Sequence, residues 1–365
     1  MRKKPYLCGM TRGRFAPSPT GRMHLGNVFC ALLSWLSAKS KGGEWVLRIE
    51  DLDPQRSRRE YALQLMDDLQ WLGLPWDGEP VWQSQRGHIY EEYLHRLTEM
   101  GLTYPCYCTR ADIMATQAPH ETDGRVVYKG TCRPKDVISD AENDVADTAC
   151  RVPTATNHIS PSIEGGVGVG LATTRLIVPD CTIPFTDGHY GQHDINLAEH
   201  CGDYIIRRKD GAWAYQLAVV VDDALMGVTE IVRGRDLLLS SPQQIHLREL
   251  LFLKRKGENG KRKTNSLTPH PSPLTPHPSP LTVNFLHHPL LCNAEGQRLC
   301  KRDKSMDLGY LRDKGTSPQE IIGLLAHLAG LTDTPAPISP QELIPLFSWD
   351  KVPTEDILLD HRITL

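Results

Sequence analysis

Between Arg14 and Asn27 the chain reads RFAPSPTGRMHLGN, and the chemistry on offer is that of an anion site. Two cationic side chains, Arg14 and Arg22, flank a turn that carries Pro17, Pro19 and Gly21. His24 stands just before an apolar run, Val28 to Ala38, that reads as a helix. It therefore lies where unpaired N–H groups and the helix dipole favour negative charge. Gly21 and Gly26 remove side chains where a backbone must approach something closely. A strand-to-helix junction so equipped predicts a nucleotide or phosphate site.

A second group of residues suits a metal. Cys106-Tyr107-Cys108 is followed by Tyr128-Lys129-Gly130-Thr131-Cys132, so three thiols are brought together by a short excursion, as tetrahedral zinc requires. Spacing alone leaves the fourth ligand open between Tyr128, which must lose its proton, and His120 inside the loop. Such a metal would be structural, staking out a small insertion poor in obvious core.

These residues need a frame. Glu44 to Glu50 reads as a buried strand ending at Asp51-Leu52-Asp53-Pro54, where Asp53 is expected to cap a helix whose first position is Pro54. Strand, helix, strand and helix in such a short span predict a doubly wound sheet, whose ligands collect at the carboxyl ends of strands. Arg14 to Ser18 and Glu50 fall at such ends, and Glu50 is the better candidate to meet a substrate ammonium group. Helices are expected near 60–72, 87–100, 242–252, 318–329 and 341–346, and strands at 183–187, 229–236 and 283–286. Lys209-Asp210-Gly211 signals a hairpin between β-rich runs. The apolar run Leu217 to Val221 is expected to return to the central sheet as a strand.

The 365 residues suggest two or three domains, and a formal net charge of −3 argues against blanket nucleic-acid affinity, leaving only local basic patches for such a partner. Ten cysteines without a signal region, and no apolar run approaching the roughly 18 residues of a membrane span, point to the cytoplasm and away from a membrane. The glycine run from Gly165 to Gly170 imitates a phosphate loop without a strand-to-helix junction. A tandem heptad, Leu267 to Pro273 and Leu274 to Pro280, carries prolines that each cost a helix about 3 kcal/mol, so an extended insertion is expected.

PSPTGxxHLGN resembles the signature of class I aminoacyl-tRNA synthetases of the glutamyl type, with Asn27 in place of the motif's second histidine. The segment Asn293 to Ser305 resembles their second signature loop. In the preferred register Arg298-Leu299-Cys300-Lys301-Arg302 is the motif, Lys301 the lysine that neutralises departing pyrophosphate, and Cys300 a departure that removes a hydroxyl donor. The C-x-C…Y-x-x-x-C pattern is similar to that of glutamyl-queuosine tRNA(Asp) synthetases and supports Tyr128 as the fourth zinc ligand, beside Cys106, Cys108 and Cys132.

The resemblance implies a class I Rossmann-type α/β catalytic domain in two halves, 1–103 and 201–297, the second holding the Pro-rich insertion 254–282. A zinc-bearing subdomain at 104–200 interrupts it, and 298–365 forms a signature loop and small helical C-terminal part. It implies His24 and Lys301 as catalytic groups, and His24, Gly26, Asn27 and Lys301 as ATP contacts. Glutamate would meet Arg14, Phe15, Ala16, Pro17, Ser18, Glu50, Tyr215 and Arg233, arginine suiting a carboxylate through bidentate pairing. The implied cofactors are one structural zinc and magnesium with ATP. The implied reaction is activation of L-glutamate and its transfer to queuosine in tRNA(Asp), by a monomer, because an anticodon-binding region is expected to be missing. The alternatives are a glutamyl-tRNA synthetase without that region, or an inactive tRNA-binding paralogue.

Overall fold

The computed structural model describes residues 10–115, 127–135, 172–252, 283–299 and 307–359. Lys301, Cys300, His120, the glycine run and the heptad repeat lie outside these residues.

The centre is a seven-stranded sheet. Its strands are β1 (Arg12–Phe15), β2 (Glu44–Ile49), β3 (Val81–Trp82), β6 (Thr182–Asp187), β7 (Gly191–Asn196), β9 (Glu230–Gly234) and β10 (Asn284–His288). They run in the order β3-β2-β1-β9-β10-β6-β7. All neighbours are parallel except β6 and β7, which form an antiparallel pair at one edge. The alternation of side chains along each strand divides the apolar residues between two faces. Trp45 and Leu47 of β2, Val232 of β9 and Leu286 of β10 join one buried cluster, while Val46, Ile231 and Phe285 join another.

The first cluster is filled by α1 (Leu25–Lys39), the expected helix extended at both ends, and by α2 (Arg59–Trp71). The C-terminal helices α8 (Leu308–Asp313), α9 (Pro318–Leu328) and α10 (Pro340–Leu343) pack into that same cluster. Helices α9 and α10 each open with a capping box and a proline in the first turn, Ser317 with Glu320 and Ser339 with Glu342. A two-stranded parallel pair, β11 (Leu291–Cys292) and β12 (Ile357–Leu358), fastens the end of the described chain back to the segment after β10. On another side α3 (Gly87–Glu99), α6 (Tyr215–Leu225) and α7 (Ser241–Phe252) share a separate buried cluster.

The cysteine-bearing region is separate from the main sheet. An antiparallel three-stranded sheet contains β4 (Thr103–Cys106), β5 (Thr173–Leu176) and β8 (Ile205–Arg207). A short helix, α4 (Arg110–Ala115), follows β4, and another, α5 (Leu197–His200), packs on β7 of the central sheet. The expected hairpin turn is present, with Arg208 N–H donating to Ala212 O at 2.9 Å.

Two expectations are corrected. Leu217 to Val221 is not a sheet strand but the middle of α6. The run is buried on all sides, so its pattern carries no period that separates helix from strand, and burial outweighs the β-preference of three consecutive valines. Asp53 does not cap a helix beginning at Pro54: its carboxylate accepts from Gln55 N–H at 3.1 Å within an isolated turn. Arg58 N–H donates to Pro19 O at 3.0 Å, which ties the chain to the signature turn before α2 begins at Arg59.

Candidate active site and candidate metal centre

His24 occupies the N-cap of α1. Its Nδ1 accepts from Gly26 N–H at 3.1 Å, and Asn27 Oδ1 accepts from His24 N–H at 3.1 Å, a reciprocal box that satisfies two donors of the helix start. With Nδ1 accepting, the hydrogen of the neutral ring lies on Nε2. A Cβ on Gly26 would sit 2.9 Å from His24 Cε1, so the glycine is what lets the imidazole fold over the helix end. Asn27, which departs from the signature's second histidine, thus serves the cap.

The backbone of His24 bridges Asp307, and Leu308 N–H donates to Met23 O at 2.9 Å. The chain on the far side of Lys301 therefore returns beside the histidine. On the near side, Asn293 N–H donates to Gln297 O at 2.8 Å across a turn with Gly296 at φ 75°, and Arg298 ion-pairs with Asp236. Arg22 is a tether: it lies 3.4 Å from Asp68, a buried carboxylate that Arg312 of α8 also reaches at 2.6 Å.

At the carboxyl ends of β1, β2 and β9 a second cluster is charged and buried. Arg14 donates to Val232 O at 3.1 Å, and its Nε lies 3.6 Å from Asp223. Arg48 donates to Asp223 at 2.5 Å and to Glu50 at 3.1 Å. Burial pushes the Glu50 carboxyl up, against the pull of Arg48 and Arg14. Burial acts on Asp223 in the same sense, yet Arg48 and Arg14 hold it below the usual carboxylate value. Glu50 N–H donates to Pro17 O at 3.0 Å, joining the signature turn to the end of β2. Ser18 is exposed and Ala16 half-buried, whereas Phe15 stacks its ring on Trp45 in the core, leaving only its backbone at the strand end.

Arg233 is buried at the end of β9. Its Nε donates to His287 Nε2 at 3.0 Å, Nη1 to Gln244 Oε1 at 2.8 Å and Nη2 to Ser241 Oγ at 2.8 Å. Burial lowers the Arg233 pKa and raises that of Tyr215; the tyrosine's environment also includes Glu50, Arg14 and Asp223. Tyr215 begins α6 and keeps 37% of its surface exposed although its hydroxyl is buried, so it is not core filling. Arg14, Glu50, Tyr215 and Arg233, drawn from four elements, therefore share one electrostatic neighbourhood.

The sulfur atoms of Cys106, Cys108 and Cys132 lie within 4.8 Å of one another, and all three cysteines are free. The Tyr128 hydroxyl stands 3.4 Å from Cys106 Sγ and 3.7 Å from Cys108 Sγ, and accepts from Cys132 N–H at 2.7 Å. Burial, with the neighbouring Cys106, pushes the Tyr128 pKa up, so without a cation it keeps its proton. Burial opposes ionisation of Cys132, but hydrogen bonds from Tyr107 N–H and Tyr128 bring its pKa down to about 7. The Arg175 guanidinium lies 3.8 Å from the centre of the Tyr128 ring and pins it. Three thiols at these separations could hold a metal ion, and their donor type suits zinc, with the Tyr128 hydroxyl beside them.

The family model for class I tRNA synthetases (E and Q), catalytic domain, matches residues 10–259. The chain belongs to this family. Among its relatives are proteins named glutamyl-Q tRNA(Asp) synthetase from Symbiobacterium thermophilum, 40% identical with 95% of each chain covered, and from Nitratidesulfovibrio vulgaris, 38% identical with 96% of this chain and 95% of the relative covered. A similarly named protein of Neisseria gonorrhoeae is 38% identical over 95% of this chain and 99% of its own. The crystal structure of a glutamate tRNA ligase from Elizabethkingia meningosepticum, in complex with its amino acid, superposes with a TM-score of 0.70. At 24% identity, covering 97% of this chain and 68% of that one, it shows the same fold. This class I synthetase is accordingly a ligase-type enzyme with the α/β catalytic domain of its family.

Some residues that shape this synthetase's site escape a reading of its sequence. Asp223, Arg48, Asp187 and His287 contact the candidate residues or their direct partners but belong to no local motif. The one available signal was the acid pair Asp222-Asp223 closing an apolar run. Two adjacent carboxylates at the end of buried sequence need partners, and here they find arginines. Among the described residues no helix is long and apolar enough to cross a membrane.

Proposed function

We propose that the chain activates L-glutamate with ATP to glutamyl-adenylate and transfers the glutamate to queuosine in the anticodon of tRNA(Asp), acting as a cytoplasmic monomer. The observation that carries the first half is the state of Arg233. It is a buried guanidinium whose hydrogen-bond partners His287, Gln244 and Ser241 are neutral, and the Tyr215 hydroxyl lies within its reach. A substrate carboxylate supplies the missing counter-charge, with the Tyr215 hydroxyl beside it. Glu50, pushed up by burial, gains a further cation beside Arg48 and Arg14 when an ammonium group binds. Arg14 adds positive potential, and the backbone from Phe15 to Ser18 walls the pocket.

In this reading His24, Gly26 and Asn27 at the start of α1 receive the triphosphate, with Lys301 of the second signature neutralising the leaving pyrophosphate. Attack of the substrate carboxylate on the α-phosphorus breaks the bond to the β,γ-phosphates, and positioned cations lower the barrier. Magnesium travelling with ATP supplies further charge neutralisation. Zinc held by Cys106, Cys108, Tyr128 and Cys132 would be structural, fixing the cysteine-bearing region around β4, β5 and β8. The acceptor follows the names of the relatives, which match this chain over nearly its whole length.

The test is ATP–pyrophosphate exchange with glutamate, run with and without tRNA, followed by charging of tRNA(Asp) with and without queuosine. Exchange without tRNA and charging of only the queuosine form are expected. Exchange that demands tRNA would favour an ordinary glutamyl-tRNA synthetase. Absence of glutamate-dependent exchange would leave a tRNA-binding paralogue.

A further inference from the structure

His287 and Asp187 form a buried line behind Arg233. Residue 287 on β10 is the register partner of Arg233 on β9, and Phe285, two residues earlier, is the partner of Asp187 on β6. The His287 side chain is fully buried, as is that of Asp187. Nδ1 of His287 lies 2.6 Å from Asp187 Oδ2, and Nε2 lies 3.0 Å from Arg233 Nε. An arginine nitrogen only donates, so Nε2 must present its lone pair; the ring hydrogen is then on Nδ1, where the carboxylate accepts it. Asp187 is itself fixed by three backbone donors, His287 N–H at 3.2 Å, His189 N–H at 3.0 Å and Tyr190 N–H at 2.9 Å. Each hydrogen bond therefore dictates the direction of the next.

We infer that Asp187 and His287 are positioning residues that fix the plane of the Arg233 guanidinium, and with it the affinity for the substrate's carboxylate. The inference rests on the reading of Arg233 as the carboxylate-binding group. Nε, Nη1 and Nη2 each carry one bond to the protein, so the guanidinium plane is set from three sides. Five N–H donors minus these three leave two, beside the Tyr215 hydroxyl, to meet a ligand. Without the Nε2 acceptor the guanidinium keeps only its Gln244 and Ser241 bonds, and a bidentate grip on a carboxylate loses part of its alignment.

The experiment uses the full-length protein and ATP–pyrophosphate exchange, reading KM for glutamate and for ATP separately. His287→Asn keeps a donor for Asp187 but offers nothing at the position of Nε2; His287→Gln places an amide oxygen near that position. The asparagine variant is expected to raise KM for glutamate about tenfold, the worth of one hydrogen bond to a charged group, with KM for ATP within about twofold of the parent. The glutamine variant should recover much of the loss. Asp187→Asn, whose amide can donate to Nδ1, should push the ring hydrogen to Nε2 and raise KM for glutamate as well. If Arg233→Lys raises KM for glutamate while His287→Asn does not, the positioning role is overturned and the pocket stands. If Arg233→Lys leaves that KM unchanged, the pocket reading fails and the inference with it. Nitrogen NMR of the wild-type imidazole decides the matter even where a variant does not fold: hydrogen on Nδ1 is expected, and hydrogen on Nε2 would overturn the line.

Discussion

Asp223 of α6 accepts from Arg48 of β2 at 2.5 Å, with both side chains almost wholly buried. The same carboxylate lies 3.6 Å from Arg14 of β1, so one acid on a helix ties together two strand ends that flank the candidate pocket. Its neighbour Asp222, a helical step of about 100° away, instead takes Arg86, Tyr90 and Gln83 and holds α3. Removing one partner of a buried pair strands the other charge. Asp223→Asn is therefore expected to cost about 3–5 kcal/mol of stability in urea denaturation. A loss below about 1 kcal/mol would mean that the pair is not what holds the strand ends.

The histidine of the signature serves both a helix and, in the proposed reaction, a triphosphate, and two substitutions separate these roles. His24→Ala loses the cap and should cost about 0.5–2 kcal/mol of stability. His24→Asn keeps a good capping side chain and should hold the parent's melting temperature. In both, pyrophosphate exchange is expected to fall on the order of 100-fold, as when one donor to a developing charge is lost. An asparagine variant with full exchange would make His24 a cap and nothing more.

Arg22 crosses Gly309 on its way to Asp68. A Cβ at residue 309 would lie 2.0 Å from Arg22 Nη1, so no side chain fits while the guanidinium keeps its place. Gly309→Ala should lower the melting temperature, and adding Arg22→Ala should return part of that loss. If the double variant is no more stable than Gly309→Ala alone, the clash is not the cause.

Zinc analysis of the purified protein is expected to give one metal per chain, lost in Cys108→Ser and Cys132→Ser. Tyr128→Phe should weaken retention against a chelator, whereas His120→Ala should leave it unchanged. The reverse pattern would transfer the fourth position to His120.

Two buried histidines should make stability fall in acid. Burial pushes His246 and His288 down to about 4 from the ordinary 6.5; for His288 the Pro289 carbonyl opposes the shift and the neighbouring His287 adds to it. Depressed folded-state values mean that the unfolded chain takes up the protons first. The stability is complete above about pH 6.5 and is lost as pH falls towards 4, each histidine contributing up to about 1.4 kcal/mol per pH unit. His246→Gln should flatten the slope of melting temperature against pH in that window. An unchanged slope would show that His246 titrates normally.

The sequence alone carried whatever is local. The signature turn, its histidine and glycine, the strand that follows, the cysteine spacing and the Asp210-Gly211 hairpin are each specified within a few residues, by covalent spacing and backbone preference. Capping boxes such as Ser317 with Glu320 are legible for the same reason. What failed was context: Leu217 to Val221 has the composition of a strand, and only burial on every side, with Asp222 and Asp223 anchored by arginines from other elements, makes it a helix. The line from Asp187 through His287 to Arg233 was equally hidden, because strands adjacent in the sheet lie far apart in the chain. Tertiary structure decided which charges meet, since burial removes water and leaves every ionised group to find its partner across the fold.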